Sequence, residues 1–313
     1  MSTRDSTVRT VLITGASGFL GSLITSRFAS EGWKVLAFGR YGPRAKPEAA
    51  EYEMTACNLP DELLEDAVRR ERPDVCVHCA GNANPRLSMT DPLHDYENGP
   101  QLTAWLLDAF RRHSNNTRFV FLSSAAVYGN PKTLPISEKS VVEPLSPYGF
   151  NKFHCESLLS SYRNIYGLST SSVRIFSAYG PGLRRQVIWD LLTKVVSRKV
   201  IEVSGTGDES RDFVYGEDAA QAIYRIATLQ LEPAPVYNLA SGQETSIKTA
   251  LELICETTGR NPEIKFDGRN APGMPLNWRA DIDLISKTGW RAETSLRAGI
   301  TKIYEFAKNR LES

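Results

Sequence analysis

Val11-Leu12-Ile13-Thr14-Gly15-Ala16-Ser17-Gly18-Phe19-Leu20-Gly21 is the stretch from which the fold can be read. Its first residues are apolar and β-branched or long, the composition of a short buried strand. Gly15, Gly18 and Gly21 follow, and from there Phe19, Leu20, Leu23, Ile24 and Phe28 recur at helical spacing until Gly32 stops them. Strand, glycine turn and helix in that order form a turn suited to a dinucleotide. The first glycine permits the tight bend, the second lets backbone approach a pyrophosphate, and the third lets helix pack closely on strand. The free N–H groups and positive dipole end of the helix then face the anion. Ser17, Phe19 and Leu20 lie inside this turn and are expected to line the same ligand.

Outward from the turn, apolar strand patterns at 34–38, 74–79, 118–122 and 171–175 alternate with helical patterns. One helix is predicted from a cap at Asn58, with Pro60 in its first turn, to about Arg72. A second spans 93–113, kinked or started late by Gly99-Pro100. A third runs over 148–166 and stops at Gly167. Such alternation predicts an α/β fold, a Rossmann-type doubly wound parallel sheet with right-handed crossovers. Residues 1–180 are assigned to this dinucleotide-binding domain. After Tyr179-Gly180-Pro181-Gly182 the pattern breaks into shorter pieces separated by Gly, Pro and charge, at 205–208, 233–235 and 270–275. Residues 181–313 are expected to form mainly a smaller α/β substrate-binding lobe over the strand ends, with later segments returning to the first domain. Helices are predicted there at 218–229 and 247–258.

Bulk composition excludes several classes. The 313 residues are 41% hydrophobic and 23% charged, which argues for a folded core. The 37 basic and 36 acidic residues leave a net charge of +1, without the basic excess of a nucleic-acid or membrane-surface binder. Five scattered cysteines, Cys57, Cys76, Cys79, Cys155 and Cys255, form no disulfide framework. Cys76 and Cys79 sit three apart on a strand, so they point to opposite faces and suit a core better than a metal. The four histidines show no paired spacing, and no metal is expected. No apolar run approaches the ~20 residues of a membrane span, and residues 1–9 lack the apolar core of a signal peptide. The expectation is a cytoplasmic protein in a reducing setting.

The chemistry is expected downstream. Tyr148 and Lys152 lie about one helical turn apart and share a face. A lysine cation beside a tyrosine is the arrangement that lets the phenol act as acid or base. Ser123 and Ser124, at the end of the preceding strand, offer a hydroxyl to hold the reacting oxygen. At the end of the second strand stands Arg40, with Arg44 and Lys46 nearby. An acid there would bind the ribose hydroxyls of NAD, whereas the guanidinium fork suits a 2′-phosphate. NADP(H) is therefore expected over NAD(H), which is the alternative.

Thr14–Gly21 (TGASGFLG), Val75–Ala80 (VCVHCA), Ser123–Gly129 (SSAAVYG), Ser146–Lys152 (SPYGFNK), Arg174–Gly182 (RIFSAYGPG), Ser210–Ile223 (SRDFVYGEDAAQAI) and Tyr237–Gly242 (YNLASG) each resemble a block of the extended short-chain dehydrogenase/reductase family, in the family's order. The resemblance spans nearly the whole chain and points to the nucleotide-sugar epimerases, dehydratases and 4-keto-sugar reductases. It implies Tyr148 as the acid/base, Lys152 as its partner and nicotinamide-ribose ligand, and Ser124 as the hydroxyl on the substrate oxygen. It implies cofactor contacts at Leu59, Ala80, Gly81 and Asn98, and at Asn58, where the family usually has an aspartate. It implies substrate contacts at Ser88, at Ser177 in place of a frequent asparagine, and at Arg211 and Arg279, where cations suit a diphosphate.

Within that family, dehydratases carry an acidic pair directly after the active-site hydroxyl. Here Ala125 and Ala126 occupy those places, and alanine cannot move the protons that water elimination needs. A binding protein without chemistry is disfavoured by the intact Ser124, Tyr148 and Lys152. Arg40 tilts the expectation to an NADPH-dependent reductase of a nucleotide-diphosphate 4-keto-(6-deoxy)sugar, with Tyr148 donating the proton at carbon 4. The alternative is an NAD-dependent nucleotide-sugar 4-epimerase. Finally, Phe150, Phe153, Leu158, Leu159, Tyr162, Ile165 and Tyr166 cover more of one helix than the ~100° stripe a single buried face needs. Together with the family's four-helix interface, this predicts a homodimer.

Overall fold

Strand β1 (Thr10–Thr14) is buried along its whole length because it has a neighbour on each side. In the computed structural model, residues 8–40, 52–230, 234–269 and 275–311 are described. Arg44 and Lys46, with 1–7, 231–233 and 270–274 of the predicted tail and connections, lie outside the described residues. After β1 come α1 (Phe19–Ser30), β2 (Lys34–Gly39), β3 (Met54–Ala56), α2 (Glu62–Glu71), β4 (Val75–His78), α3 (Pro85–Thr90) and α4 (Pro92–Tyr96). A π-helical turn (Glu97–Gln101) joins α4 to α5 (Leu102–His113), followed by β5 (Arg118–Ser124), a 3-10 turn (Ala125–Tyr128), α6 (Pro147–Tyr166) and β6 (Thr170–Ile175). The rest comprises β7 (Ser177–Tyr179), α7 (Gln186–Ser197), β8 (Val200–Val203), β9 (Ser210–Tyr215), α8 (Gly216–Thr228), β10 (Val236–Leu239), β11 (Glu244–Ser246), α9 (Ile247–Thr258), β12 (Glu263–Phe266), α10 (Asp283–Ser286) and α11 (Leu296–Leu311).

The seven-stranded sheet has the order β10-β6-β5-β4-β1-β2-β3. Val11 pairs in parallel with Val35 of β2 and with Val75 of β4. The strand order reverses between β1 and β4, and ligands of doubly wound sheets bind at such a switch point. The glycine turn leaves β1 there, and Ala80-Gly81 leave β4. The core against α2, α5 and α6 contains Leu12, Leu64, Leu106, Phe110, Phe119 and Leu159. Each such side chain contributes ~1.5–3 kcal/mol by leaving water.

Three local features differ from the sequence expectation. Asp61, not Asn58, caps α2, its carboxylate accepting the Leu63 N–H at 2.9 Å. That leaves Asn58 exposed, just beyond β3. β3 itself adds a strand to the expected set, because a three-residue strand that is mostly exposed has no periodicity to read. Pro100 neither breaks nor delays the helix over 93–113. Its ring sits inside the π-helical turn, where the wider hydrogen-bonding pattern tolerates a residue without an N–H.

Helix α6 follows its local rules. Ser146 accepts the Gly149 N–H, Pro147 takes the first turn, and Gly167 closes the helix in the left-handed conformation at φ 72.

The chain divides into two units that exchange segments. The first comprises residues up to Val127, Ser146–Arg174 and Ala220–Tyr237. The second comprises Tyr128–Leu145, Ile175–Ala219 and everything from Asn238 on. In the second, β9 lies between β11 and β7, antiparallel to the former and parallel to the latter. Ile188, Leu192, Phe213, Leu251, Ile254 and Ile300 fill its core. Among the described residues no helix is long and apolar enough to cross a membrane, and no group of His, Cys, Asp and Glu is arranged to hold a metal. The five cysteines are free.

Candidate active site

Gly15 has φ 67, and a Cβ there would lie 2.6 Å from the Ala80 nitrogen. Only glycine lets the turn press against the loop that leaves β4. At Gly21 a Cβ would overlap the Gly15 carbonyl oxygen, so α1 can start this close to β1 only without one. Gly18 caps α1 without a side chain, and no acid stands in the first turn. The helix end is therefore left bare for an anion, which is the fit a pyrophosphate requires. The Ala16 N–H donates to Phe38 O at 3.0 Å, and Gly39 has no room for a Cβ against Ser17. Arg40, exposed, follows directly. Cys57 N donates to Gly39 O at 3.1 Å, so Arg40 and Asn58 emerge from neighbouring strand ends. Leu59 and Asn98 line one cavity with Pro60, Gln101, Leu102 and Trp105. The Asn98 amide nitrogen donates to His94 O at 2.8 Å, which leaves its oxygen as an acceptor. Its backbone carbonyl would stand 3.0 Å from a Cβ on Gly81.

Tyr148 and Lys152 share a face of α6, as their spacing predicts. Lys152 Nζ lies 5.8 Å from the Tyr148 ring centroid and 4.6 Å from that of Phe121. It donates to Leu122 O at 2.8 Å, which anchors the cation to the end of β5. Ser123 and Ser124 point apart, as adjacent strand residues must. Ser123 donates to Glu156 at 2.6 Å, whereas Ser124 Oγ accepts the Ala126 N–H at 3.1 Å and keeps its own hydrogen to donate. Of the pair, Ser124 is the one left to meet a substrate.

The first three turns of α6 are pinned by buried polar contacts at Tyr148, Asn151 and Glu156. Ser88, expected at the substrate, is instead fully buried. Its Oγ accepts the Tyr148 N–H at 3.0 Å and donates to Pro85 O at 2.7 Å, so its one hydrogen is spent inside the protein. Buried Asp95 accepts from Asn151 of α6 and from Asn82 of the loop after β4, each at 2.7 Å. Glu156 accepts from Arg174 of β6 at 2.6 Å, an ion pair shielded from water. The sequence carries one signal for this pair, a charge on the sheet-facing side of α6 and another inside a buried strand. Asp95 leaves no such trace, because its partners are fixed only by the packing of α4 on α6.

In the second unit, Arg211 is 9% exposed. It donates to Ser210 O at 2.7 Å and Leu276 O at 3.0 Å, and its guanidinium lies 5.6 Å from the Trp278 ring centroid. Burial lowers it to about 10, against the pull of Glu209, so it is cationic at neutral pH. Its neighbour Asp212 turns to the opposite face and accepts from Ser241, Gly242 and Ala280. Burial pushes that acid up to about 6, against those hydrogen bonds. Arg279 is half-buried, its carbonyl accepting the Ile136 N–H at 2.7 Å. Ser177, also half-buried, opens β7 opposite Phe213.

The profile of the NAD dependent epimerase/dehydratase family matches residues 11–240. The chain belongs to that family. It is an enzyme of the extended short-chain dehydrogenase/reductase type. The UDP-glucose 4-epimerase of Mycolicibacterium smegmatis is 27% identical over 312 residues, 96% of this chain and 98% of its own. The UDP-glucose 4-epimerase of Thermus thermophilus, solved in complex with NAD, superposes with a TM-score of 0.86 at 27% identity, over 96% of this chain and 99% of that one. MoeE5, solved with UDP-glucose and NAD, gives the same TM-score of 0.86 at 27% identity, over 96% and 99% of the two chains. These family members lend no support to the expected NADPH-dependent 4-keto reduction, and they favour the epimerase alternative.

Proposed function

We propose that the protein is an NAD-dependent 4-epimerase of a UDP-hexose. The observation that carries this reading is the pair Tyr148 and Lys152 on one face of α6, together with a serine, Ser124, that is followed by Ala125 and Ala126. One acid/base serves an alcohol-to-ketone exchange and its reversal, and the two alanines after Ser124 cannot move the protons of an elimination. NAD, when bound, supplies reversible hydride exchange at carbon 4. Tyr148 takes the proton of the 4-hydroxyl and later returns it. Lys152, held by Leu122 O, sets its amine 5.8 Å from the centre of the Tyr148 ring. Ser124 donates its free hydrogen to the same oxygen. Arg211 supplies the cation for the diphosphate, with Ser177 and Arg279 as further substrate contacts. The glycine turn, Asn58, Leu59, Ala80, Gly81 and Asn98 hold the dinucleotide.

The NADP(H) preference and the reductase reading both rest on Arg40. An exposed arginine needs no phosphate to explain it, and the solved relatives at 27% identity hold NAD. Free thiols suit the cytoplasm, where we place the protein.

Incubation of the purified protein with NAD and UDP-glucose, followed by NMR of the sugar, tests this reading. The expected result is the carbon-4 epimer with no net consumption of NAD. UDP-glucuronate serves as the second UDP-hexose. Failure to convert either, with NADPH oxidised instead on a 4-keto sugar nucleotide, would overturn it.

A further inference from the structure

His78 ends β4 and is 1% exposed, packed between the rings of Phe119 and Phe121 at centroid distances of 5.9 and 5.6 Å. Both ring nitrogens are engaged. Nδ1 lies 2.7 Å from Thr14 Oγ1, the residue from which the glycine turn departs. Nε2 lies 3.2 Å from Thr103 Oγ1 on α5. The chain continues at both ends. Thr14 Oγ1 accepts the Ala80 N–H at 3.2 Å, and Thr103 Oγ1 donates to Cys155 Sγ on α6 at 3.3 Å. Cys155 lies one turn beyond Lys152 on the same helix.

The Thr103 hydroxyl gives its hydrogen to Cys155 Sγ, so toward His78 it accepts. The imidazole proton then sits on Nε2 and is donated to Thr103, whose own hydrogen goes to the sulfur. Nδ1 is then the acceptor of the Thr14 hydroxyl, which takes the Ala80 N–H on a lone pair of its own. Burial, with Lys152 adding to it, holds the ring at about 3, so it stays uncharged through the neutral range.

We infer that His78 is a positioning residue that joins the glycine turn to α6, and so sets the dinucleotide platform and the Tyr148–Lys152 pair in one register. It touches neither substrate nor cofactor in this role. A rigid ring with an acceptor at one side and a donor at the other spans the gap between two hydroxyls. No aliphatic side chain of that volume offers both. The inference rests on the proposed function only for what the two joined parts do.

Hydrogen exchange on the ligand-free protein tests it, together with NADH affinity by fluorescence. His78→Phe keeps the ring and loses both bonds. Amides of residues 14–21 and of 148–155 should then exchange roughly tenfold faster, and NADH should bind roughly tenfold more weakly, as expected for the loss of two buried hydrogen bonds. Thr103→Val cuts only the arm to α6. It should speed exchange in 148–155 and leave exchange in 14–21 as in the unmodified protein. If His78→Phe does not fold, Thr103→Val with His78→Gln, which restores a donor and an acceptor, decides the matter. Unchanged exchange in both segments, or equal loosening of both by Thr103→Val, would overturn the inference. Absence of UDP-hexose conversion by the unmodified protein strikes the proposed function alone, because the exchange readout needs no substrate.

Discussion

At the scale of single residues, the proposed function gives the proton to Tyr148 and the diphosphate to Arg211. Tyr148→Phe should lower turnover by ~10² or more while NADH affinity is kept, as expected when a general acid/base is removed and its ring is not. Rate measurements beside a fluorescence titration check this, and near-normal turnover would mean that another group moves the proton. Arg211 is a buried cation whose adjacent acid, Asp212, is committed to backbone N–H groups on the other face. Arg211→Ala should raise the KM for the UDP-sugar roughly ten- to hundredfold, the range of a lost charge-assisted hydrogen bond. The KM for the dinucleotide should hardly move. An equal change in both would show that Arg211 mainly holds the segment from Leu276 to Trp278 in place.

Among the elements, α6 carries both Tyr148 and Lys152. Its Pro147 start, Ser146 cap and Gly167 stop are local and readable from the chain. Its contacts are not. Glu156 pairs with Arg174 where their side chains are only 6% and 5% exposed. Glu156→Leu leaves a buried guanidinium without its carboxylate, and such a loss costs about 3–5 kcal/mol. A urea titration should show the midpoint falling accordingly, with the slope unchanged if the denatured state is unaffected. Ser123 loses its acceptor in the same variant, so β5 and the adjacent Ser124 should lose alignment along with stability.

Across the whole molecule, the first unit carries an apolar surface that its own chain leaves open. Phe150 is 50% exposed and Ile165 69%, and Phe153 and Tyr166 of α6 are exposed with them. Leu87, Met89, Leu93 and Tyr96 of the neighbouring α3 and α4 are exposed as well. Side chains of this size in one region mark an interaction surface, and a second copy of the chain is the expected partner. Light scattering at micromolar concentration should give about twice the 34.8 kDa of one chain. A mass near the single-chain value would refute the dimer. Phe150→Lys should shift the protein toward the monomer without unfolding it, because that position is half exposed already.

The parts of the site legible in the chain are those encoded over a few residues. A strand, glycine turn and helix occupy Thr10–Ser30, and Tyr148 and Lys152 need only one helical turn to meet. Short spacing on a regular element fixes direction, so the sequence alone determined the strand, glycine turn and helix, the shared face of Tyr148 and Lys152, and the fold class. Tertiary structure decided what depends on partners far along the chain. It turned Ser88 from the substrate to the Tyr148 N–H, 60 residues away. It interleaved 128–145 and 220–237 between the units. It joined His78 to Thr14 across 64 residues and to Thr103 across 25. Hydrogen bonds of that span exist only once the sheet order has brought β1, β4, α5 and α6 together, and no local pattern in the sequence encodes them.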